Sequence, residues 1–234
     1  MSLNKPPSLA FRTLHPALWL FCFVWVCLAS FAAQQETGTP TVTFTCDFPG
    51  SEPSHYGVSV SSNGRGSYIS DGKLTKDSDP DEPFTMDLTV SEPTVTRIFD
   101  LAKSAGYFEG SIDLKKKNIA FTGDKTLTYT DAQRNTSAGY NYSPVPAVQE
   151  LTTLFQRLSA TLEFGRRLEY DYRYQKLALD EELKRMEDAF ARGNLLEVPA
   201  AAPVLPRIMQ DPSVINTVRA RAQRLLEHAG GVGK

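Results

Sequence analysis

The sequence contains few cysteines and histidines, and this scarcity excludes several kinds of fold and site. There are three of each among 234 residues, and the first 32 residues hold two of the cysteines and one histidine. The remainder therefore has only Cys46, His55 and His228. One cysteine cannot form an internal disulfide framework, and a zinc site or triad would need two histidines from opposite ends of the chain to converge. We interpret both histidines as solvated and Cys46 as a core residue, because it lies in an alternating apolar pattern.

The sequence also lacks the motifs of several enzyme classes. There is no HExxH, GxSxG or CxxC motif and no glycine-rich phosphate loop. Glycoside hydrolysis requires two carboxylates close in space rather than a motif, so it stays open, but 27 acidic residues do not single out a pair. We therefore assign no catalytic, cofactor-binding or metal-binding residue from the sequence.

Residues 1–32 have the pattern of a secretory signal peptide. The first fifteen residues carry basic but no acidic side chains, an uncharged apolar run covers residues 17–33, and Ser30 and Ala32 suit the −3 and −1 positions of a cleavage site. The alternative is an uncleaved inner-membrane anchor. A helix of this length reaches about 25 Å, which is short for a hydrocarbon core of about 30 Å. We expect cleavage after Ala32 and a periplasmic or secreted protein.

Loss of this leader makes the chain more acidic. It removes Lys5 and Arg12 and no acid, so 23 basic residues remain against 27 acidic ones, a net charge of about −4 instead of −2. Such a balance disfavours nucleic acid as a partner. The expected partner is an unidentified protein or polymer of the cell envelope or exterior, and membrane contact is expected only if the leader is retained.

Beyond a polar spacer at residues 33–40, the pattern of residues 41–143 predicts an antiparallel α+β module of about five to seven strands. Asn63-Gly64 is a strong hairpin signal, and a helix with Pro93 in its first turn ends near Gly106. We also expect residues 119–121 to form a hairpin with 126–130, and Tyr140 and Tyr142 to belong to a last strand. Alternating apolar residues indicate half-buried strands at 42–48, 56–60, 84–90 and 126–130.

Residues 144–230 are predicted to be helical, with a disordered tail at 231–234. The first helix begins at Pro146, and its apolar residues at spacings of three and four should cover the sheet. Gly165 is a possible kink and Asp180 a possible cap of the next helix. A short helix is expected at 203–209. The last helix should begin at Asp211-Pro212 and bury Ile215, Val218, Ala222, Leu225 and Ala229.

Several groups of polar and aromatic residues are candidates for binding. The acidic loop Asp77–Glu82 resembles the start of a calcium loop, but Glu82 and Leu88 occupy the positions that need glycine and glutamate, which favours a solvated loop. We interpret the lysine run 115–117 and the pair Arg166-Arg167 as solvated too. Two tyrosine groups are either interface anchors or packing residues: Tyr129, Tyr140 and Tyr142, and Tyr170, Tyr172 and Tyr174. Charge pairs are expected between Arg219, Arg221 and Arg224 and the acids Asp180, Glu181 and Glu182.

Three segments resemble an uncharacterised family of exported bacterial proteins, of the kind common in acidobacterial genomes. They are FTGDKTLTYTD at 121–131, FGRRLEYDYRYQKLALDEELKRME at 164–187 and DPSVINTVRARAQRLL at 211–226. The resemblance implies a bacterial, exported protein and brings no activity, ligand or catalytic residue.

Three functions are compatible with these features. The first is an exported, non-catalytic binding or structural protein, which the lack of catalytic motifs favours. The second is an envelope or secreted hydrolase that uses a carboxylate pair on a glycan-like polymer. The third is an inhibitor-like or accessory protein that docks on another exported protein through its sheet edge or its C-terminal helix.

Overall fold

The computed structural model describes residues 38–74, 83–115 and 118–231. The predicted signal peptide and the acidic loop Asp77–Glu82 lie outside the described residues. So do two of the three residues of the lysine run 115–117. Of the predicted tail, Gly231 still belongs to the last helix, and the other three residues lie outside the described part.

The predicted α+β architecture is confirmed: one open, six-stranded antiparallel sheet is followed mainly by helices. The spatial order of the strands is β4-β3-β2-β1-β5-β6, so β4 and β6 form the two edges. The strands are β1 (Thr41–Asp47), β2 (His55–Ser61), β3 (Arg65–Ser70), β4 (Phe84–Thr89), β5 (Asp124–Thr130) and β6 (Asn135–Tyr140). The helices are α1 (Glu92–Ser104), α2 (Pro146–Tyr174), α3 (Leu179–Ala191), α4 (Val198–Ala201), α5 (Val204–Gln210) and α6 (Asn216–Gly231).

The alternation along the strands gives the sheet one apolar face and one face of serine and threonine, which we call the hydroxyl face. Thr43 lies opposite Ser59 on one neighbouring strand and Thr128 on the other. Hydroxyl groups bond across the strands, with Thr43 Oγ1 2.8 Å from Ser59 Oγ and Thr128 Oγ1 3.0 Å from Ser137 Oγ. Antiparallel sheets commonly bury one face and solvate the other, and these β-branched threonines suit the solvated one.

The 29-residue helix α2 covers the apolar face, as its periodicity predicts. The ring of Phe155 stacks on that of Phe44 in β1, with the centroids 5.4 Å apart. The second half of α2 continues into another apolar core, where Leu168 packs with residues of α3, α5 and α6. One helix therefore contributes to both cores, Leu162 to the first and Leu168 to the second.

The predicted hairpin between 119–121 and 126–130 is wrong. Strand β5 pairs instead with β6 and β1, and residues 119–123 form no strand. The side chain of Asn141 holds this segment as a loop: its amide donates to Ala120 O over 3.0 Å, and its carbonyl accepts the N–H of Thr122 over 2.8 Å. Tyr142 lies beyond the end of β6.

Three expectations for the helices are also wrong. Helix α2 continues through Gly165 without a break, and α3 begins after Ala178, so Asp180 lies in its first turn and does not cap it. The last helix begins at Asn216, because Asp211 closes a turn by accepting the N–H of Ser213 over 2.8 Å. Ile215 consequently precedes the helix and is 60% exposed.

In the described part of the chain, no helix combines the length and the apolar character that crossing a membrane requires.

Candidate functional site

A groove of about 700 Å³ lies where the edge strand β4 meets α2, α4 and α5. We call it the junction groove. Its apolar part comes from β4 and from the start of α5, including Phe84, Met86 and Val204. Its polar part comes from the second half of α2 and from α5: Arg166, Glu169, Tyr170, Arg173, Tyr174 and Arg207.

The α2 residues of the groove reach it because of their spacing. Positions 166, 169, 170, 173 and 174 recur at intervals of three and four, which places them on one face of a helix. The helical spacing in the sequence therefore indicates this surface, although Arg166 is interpreted from the sequence as solvated and the tyrosines as either interface anchors or packing residues. What it did not show is that α5 and β4 face the same side chains, because those elements are far away in the chain.

Glu169 orients two of the three arginines. Its Oε1 accepts from Arg173 Nε over 2.6 Å, and its Oε2 accepts from Arg207 Nη1 over 2.7 Å. Burial alone would raise the pKa of Glu169, but the hydrogen bonds from Arg207 and Arg173 outweigh it and lower that pKa. Among the described residues that line the groove, three arginines face one glutamate.

Arg166 is the most deeply placed of the three, with its side chain only 11% exposed. Its guanidinium lies 4.5 Å from the ring centroid of Phe84, and its Nη1 donates to Gly72 O over 2.7 Å. Its Nε is buried and has no hydrogen-bond partner among the described residues. Arg166 thus joins α2 to the sheet edge at the base of the groove, where its Nη1 also lies 3.9 Å from the buried carboxylate of Glu163.

The two tyrosine groups behave differently. Tyr129 and Tyr140 are buried in the sheet core, which confirms packing for them, whereas Tyr142 is partly exposed. Tyr170 and Tyr174 lie one helical turn apart with their ring centroids at 5.2 Å, and Tyr174 is 70% exposed. This pair forms an aromatic rim beside the arginines.

Two buried charged residues outside the groove, Glu163 and Lys125, have internal partners. Glu163 of α2 accepts from Tyr68 Oη at 2.8 Å and Ser70 Oγ at 2.6 Å, which fastens the helix to the sheet. Lys125 Nζ donates to Thr122 Oγ1 at 3.0 Å and to two backbone carbonyls, and burial lowers its pKa. Both residues line smaller cavities, of about 510 and 420 Å³, but act there as structural cross-links.

Cys46 is buried and free, in agreement with its interpretation as a core residue. Burial raises the pKa of its thiol, which disfavours the reactive thiolate.

The predicted charge pairs between α3 and α6 are partly confirmed. Arg221 binds Asp180 at 2.8 Å and Glu187 at 2.5 Å, and Arg224 binds Glu187 at 2.7 Å. Arg219 was expected to join them, but it donates to Asn216 on its own helix.

Both histidines lie at the surface. His55 pairs with Asp47 at 2.6 Å, and the exposed His228 stacks on Phe190. Among the described residues, no group of three or more His, Cys, Asp or Glu side chains is placed to hold a metal ion. Comparison with protein-family models gives no match, and comparison with curated proteins finds no similar sequence. Function is therefore inferred from the side chains of the junction groove.

Proposed function

We propose that this protein is an exported, non-catalytic binding protein that holds an extended anionic ligand in the junction groove. The observation that carries the proposal is the pair of Arg173 and Arg207 held by Glu169, with Arg166 beside them at the base of a groove that has an aromatic rim. The chain as a whole has a net charge of −2, so this positive groove stands out against an acidic protein. Such local charge attracts and orients an anion.

The arginines are arranged in advance of binding. Glu169 fixes Arg173 through Nε and Arg207 through Nη1, and the Arg207 guanidinium lies 4.9 Å from the ring centroid of Tyr172. In the described residues, the remaining N–H groups of these two arginines have no hydrogen-bond partner. Arginine presents five donors in a rigid fork that fits carboxylate and phosphate groups. Side chains already held in position lose less entropy when a ligand binds.

The rim formed by Tyr170 and Tyr174 favours an extended ligand over a small ion. Tyrosine combines a large apolar ring with a polar hydroxyl group and is enriched at contact surfaces. The rim and the apolar part of the groove, including Phe84 and Met86, offer contact area beyond a single charged group. An extended anion would contact the rim and the apolar part of the groove as well as the arginines.

The carboxylates favour binding over hydrolysis. Glu169 has a lowered pKa, which makes it a poor proton donor at neutral pH. Asp171 has a pKa raised to about 6, first by burial and then by the charge of Glu182, and this is the pattern expected of a catalytic acid. Neither Asp171 nor Glu182 lines the junction groove, the two smaller cavities or a further cavity of about 670 Å³ beside Ser91 and Glu197, so we propose no substrate site for them.

We also propose that the protein is exported and that it belongs to the exported bacterial family. Their support is the apolar run at 17–33 and the three segments that resemble that family. An envelope or extracellular location would give the groove access to acidic proteins and polymers.

The proposal is tested by measuring binding with and without the groove arginines. A labelled acidic peptide, an oligogalacturonate and neutral counterparts of both are titrated into the purified protein. Replacing both Arg173→Gln and Arg207→Gln should weaken anion binding about a hundredfold, because each charge-assisted contact contributes about 1.5 kcal/mol, close to a factor of ten.

The matched control is the pair Arg97→Gln and Arg224→Gln. These arginines are about as exposed and are likewise paired with glutamates, but neither lines the groove. We expect the control to bind like the wild type. Equal binding by the wild type and the groove variant would rule out the proposal.

A further inference from the structure

The outer edge of β4 offers unpaired backbone groups beside the arginines. Val90 N donates to Gly64 O over 2.8 Å, and the pairing continues from there as Leu88↔Gly66 and Met86↔Tyr68. In an antiparallel pair only alternate residues exchange hydrogen bonds with the neighbouring strand. The even-numbered residues of β4 therefore bond to β3, and the backbone N–H and C=O groups of Thr85, Asp87 and Thr89 point away from the sheet.

The opposite edge of β3 supports this assignment. Asp71 N donates to His55 O over 3.1 Å, so the odd-numbered residues of β3 bond to β2. The even-numbered residues of β3 must then bond to β4. In the described part of the chain, β4 has no strand on its other side.

The junction groove follows this free edge. Three consecutive residues of β4, Phe84–Met86, border it. After the C-terminal end of β4 the chain is covered by Glu197, whose carboxylate accepts a hydrogen bond from Ser91 Oγ over 2.5 Å. The accessible stretch is thus the part of β4 that faces the arginines.

We infer that the ligand of the junction groove is an acidic polypeptide segment that adds to β4 as a seventh strand. This inference rests on the proposed function and names its ligand class. A peptide backbone presents donors and acceptors at the spacing of Thr85 and Asp87, as in other complexes formed by strand addition. Its carboxylates are complementary to Arg166, Arg173 and Arg207.

The two faces of the added strand require different side chains. Side chains on the α2 side of the sheet meet the groove arginines, whereas those on the hydroxyl face meet Asp87, which is exposed. Carboxylates on that second face would be repelled. The recognised segment therefore has acidic residues at every second position with neutral or basic residues between them, over about five to seven residues at roughly 3.3 Å each.

The experiment uses three forms of a blocked seven-residue peptide in which glutamate alternates with threonine. One form is unmodified, and the other two carry backbone N-methyl groups on the odd-numbered or the even-numbered residues. N-methylation removes a donor without changing the charge. Because only alternate amides of an added strand face β4, one methylated form should bind at least tenfold more weakly and the other within twofold of the unmodified peptide.

The protein side is tested with Thr85→Pro and its control Thr85→Val. Proline removes the outward N–H of residue 85 and breaks no bond to β3, since edge strands accept proline at such positions. Thr85→Pro should weaken peptide binding at least tenfold, and Thr85→Val should stay within twofold. Thermal unfolding monitors the fold of each variant. If Thr85→Pro does not fold, the two methylated peptides decide the question with the wild-type protein.

The outcomes separate strand addition from the proposed function. Equal binding of the two methylated peptides would overturn strand addition. Peptide binding that Thr85→Pro leaves unchanged would also overturn it, while anion binding in the groove would stand. If neither the peptide nor oligogalacturonate binds, both proposals fail.

Discussion

Two buried carboxylates, Glu163 and Glu182, connect α2 to its neighbours. The side chain of Glu163 is 5% exposed and receives hydrogen bonds from the sheet, and that of Glu182 is 1% exposed and receives them from Arg167 at 2.6 Å and from Arg185. A buried charge is costly unless it is paired, and removing one partner leaves the other without compensation. These two residues therefore fix the position of the helix that carries the groove arginines.

We predict that Glu182→Gln lowers the free energy of unfolding by about 3 kcal/mol, because Arg167 loses the nearer of its two buried counter-charges. Urea unfolding at pH 7.5 measures this change. Glu150→Gln is the control, since its pair with Arg97 is about half exposed and should contribute under about 1 kcal/mol. Similar losses in the two variants would contradict the buried role of Glu182.

Asp171 should make stability depend on pH. Its folded pKa, about 6, lies above its ordinary value of 3.8, so the folded state binds the proton more tightly. The ionised form therefore destabilises the fold above pH 6, and this penalty is relieved as the pH falls toward 4. Asp171→Asn should raise the free energy of unfolding by about 1 kcal/mol at pH 7.5, after allowance for solvent screening, and change it little at pH 4. A difference that is constant from pH 4 to 7.5 would disprove the assignment.

At the scale of elements, α2 and α4 approach each other unusually closely at Gly165. A Cβ atom at this position would lie 2.5 Å from the carbonyl oxygen of Ala201. Gly165 does not interrupt the helix, and its role is to admit a neighbouring backbone. Both Gly165 and Ala201 line the junction groove, so their contact also shapes the site.

We predict that Gly165→Ala destabilises the protein by about 2 kcal/mol, because overpacking outweighs the gain of about 1 kcal/mol in helix propensity. Gly230→Ala in α6 is the control, since a Cβ there meets nothing within 4 Å. Thermal unfolding should show a lower midpoint for Gly165→Ala and an unchanged or higher one for Gly230→Ala. Two variants with equal midpoints would argue against the close contact.

The elements differ in how far sequence alone could predict them. The strands and the helix that covers them follow from local periodicity, because alternation and three-four spacing report directly which side chains face the core. The loop at 119–123 does not, since Asn141 holds it from 19 and 21 residues away through its side-chain amide. The first turn of α1 shows the same limit: Glu197, more than 100 residues away, accepts from Ser91 and Thr94.

At the scale of the whole molecule, the local distribution of charge indicates the binding site better than the net charge does. The chain has 27 acidic and 25 basic residues, yet three arginines gather in one groove. The sequence could indicate half of this site, through the helical spacing of Arg166, Arg173 and the tyrosines. It could not indicate Arg207 or the edge of β4, because only the tertiary fold brings them to α2.

The hydroxyl face is the main competing surface of the molecule. It is broad, but several of its hydroxyl groups bond to one another, as Thr43 does to Ser59, and this leaves fewer of them for a ligand. A ligand of the junction groove and a ligand of the hydroxyl face would contact opposite sides of the sheet. Mapping the bound probe onto the fold therefore distinguishes them.

The measurement that tests the central claim most directly is the change in backbone amide NMR shifts when the alternating glutamate–threonine peptide binds. We predict that the largest changes fall at Phe84–Asp87, Arg166–Tyr174 and Val204–Arg207, and that the shifts of the hydroxyl face change little. Changes confined to the hydroxyl face, or no changes with either the peptide or oligogalacturonate at saturation, would contradict a binding function of the junction groove.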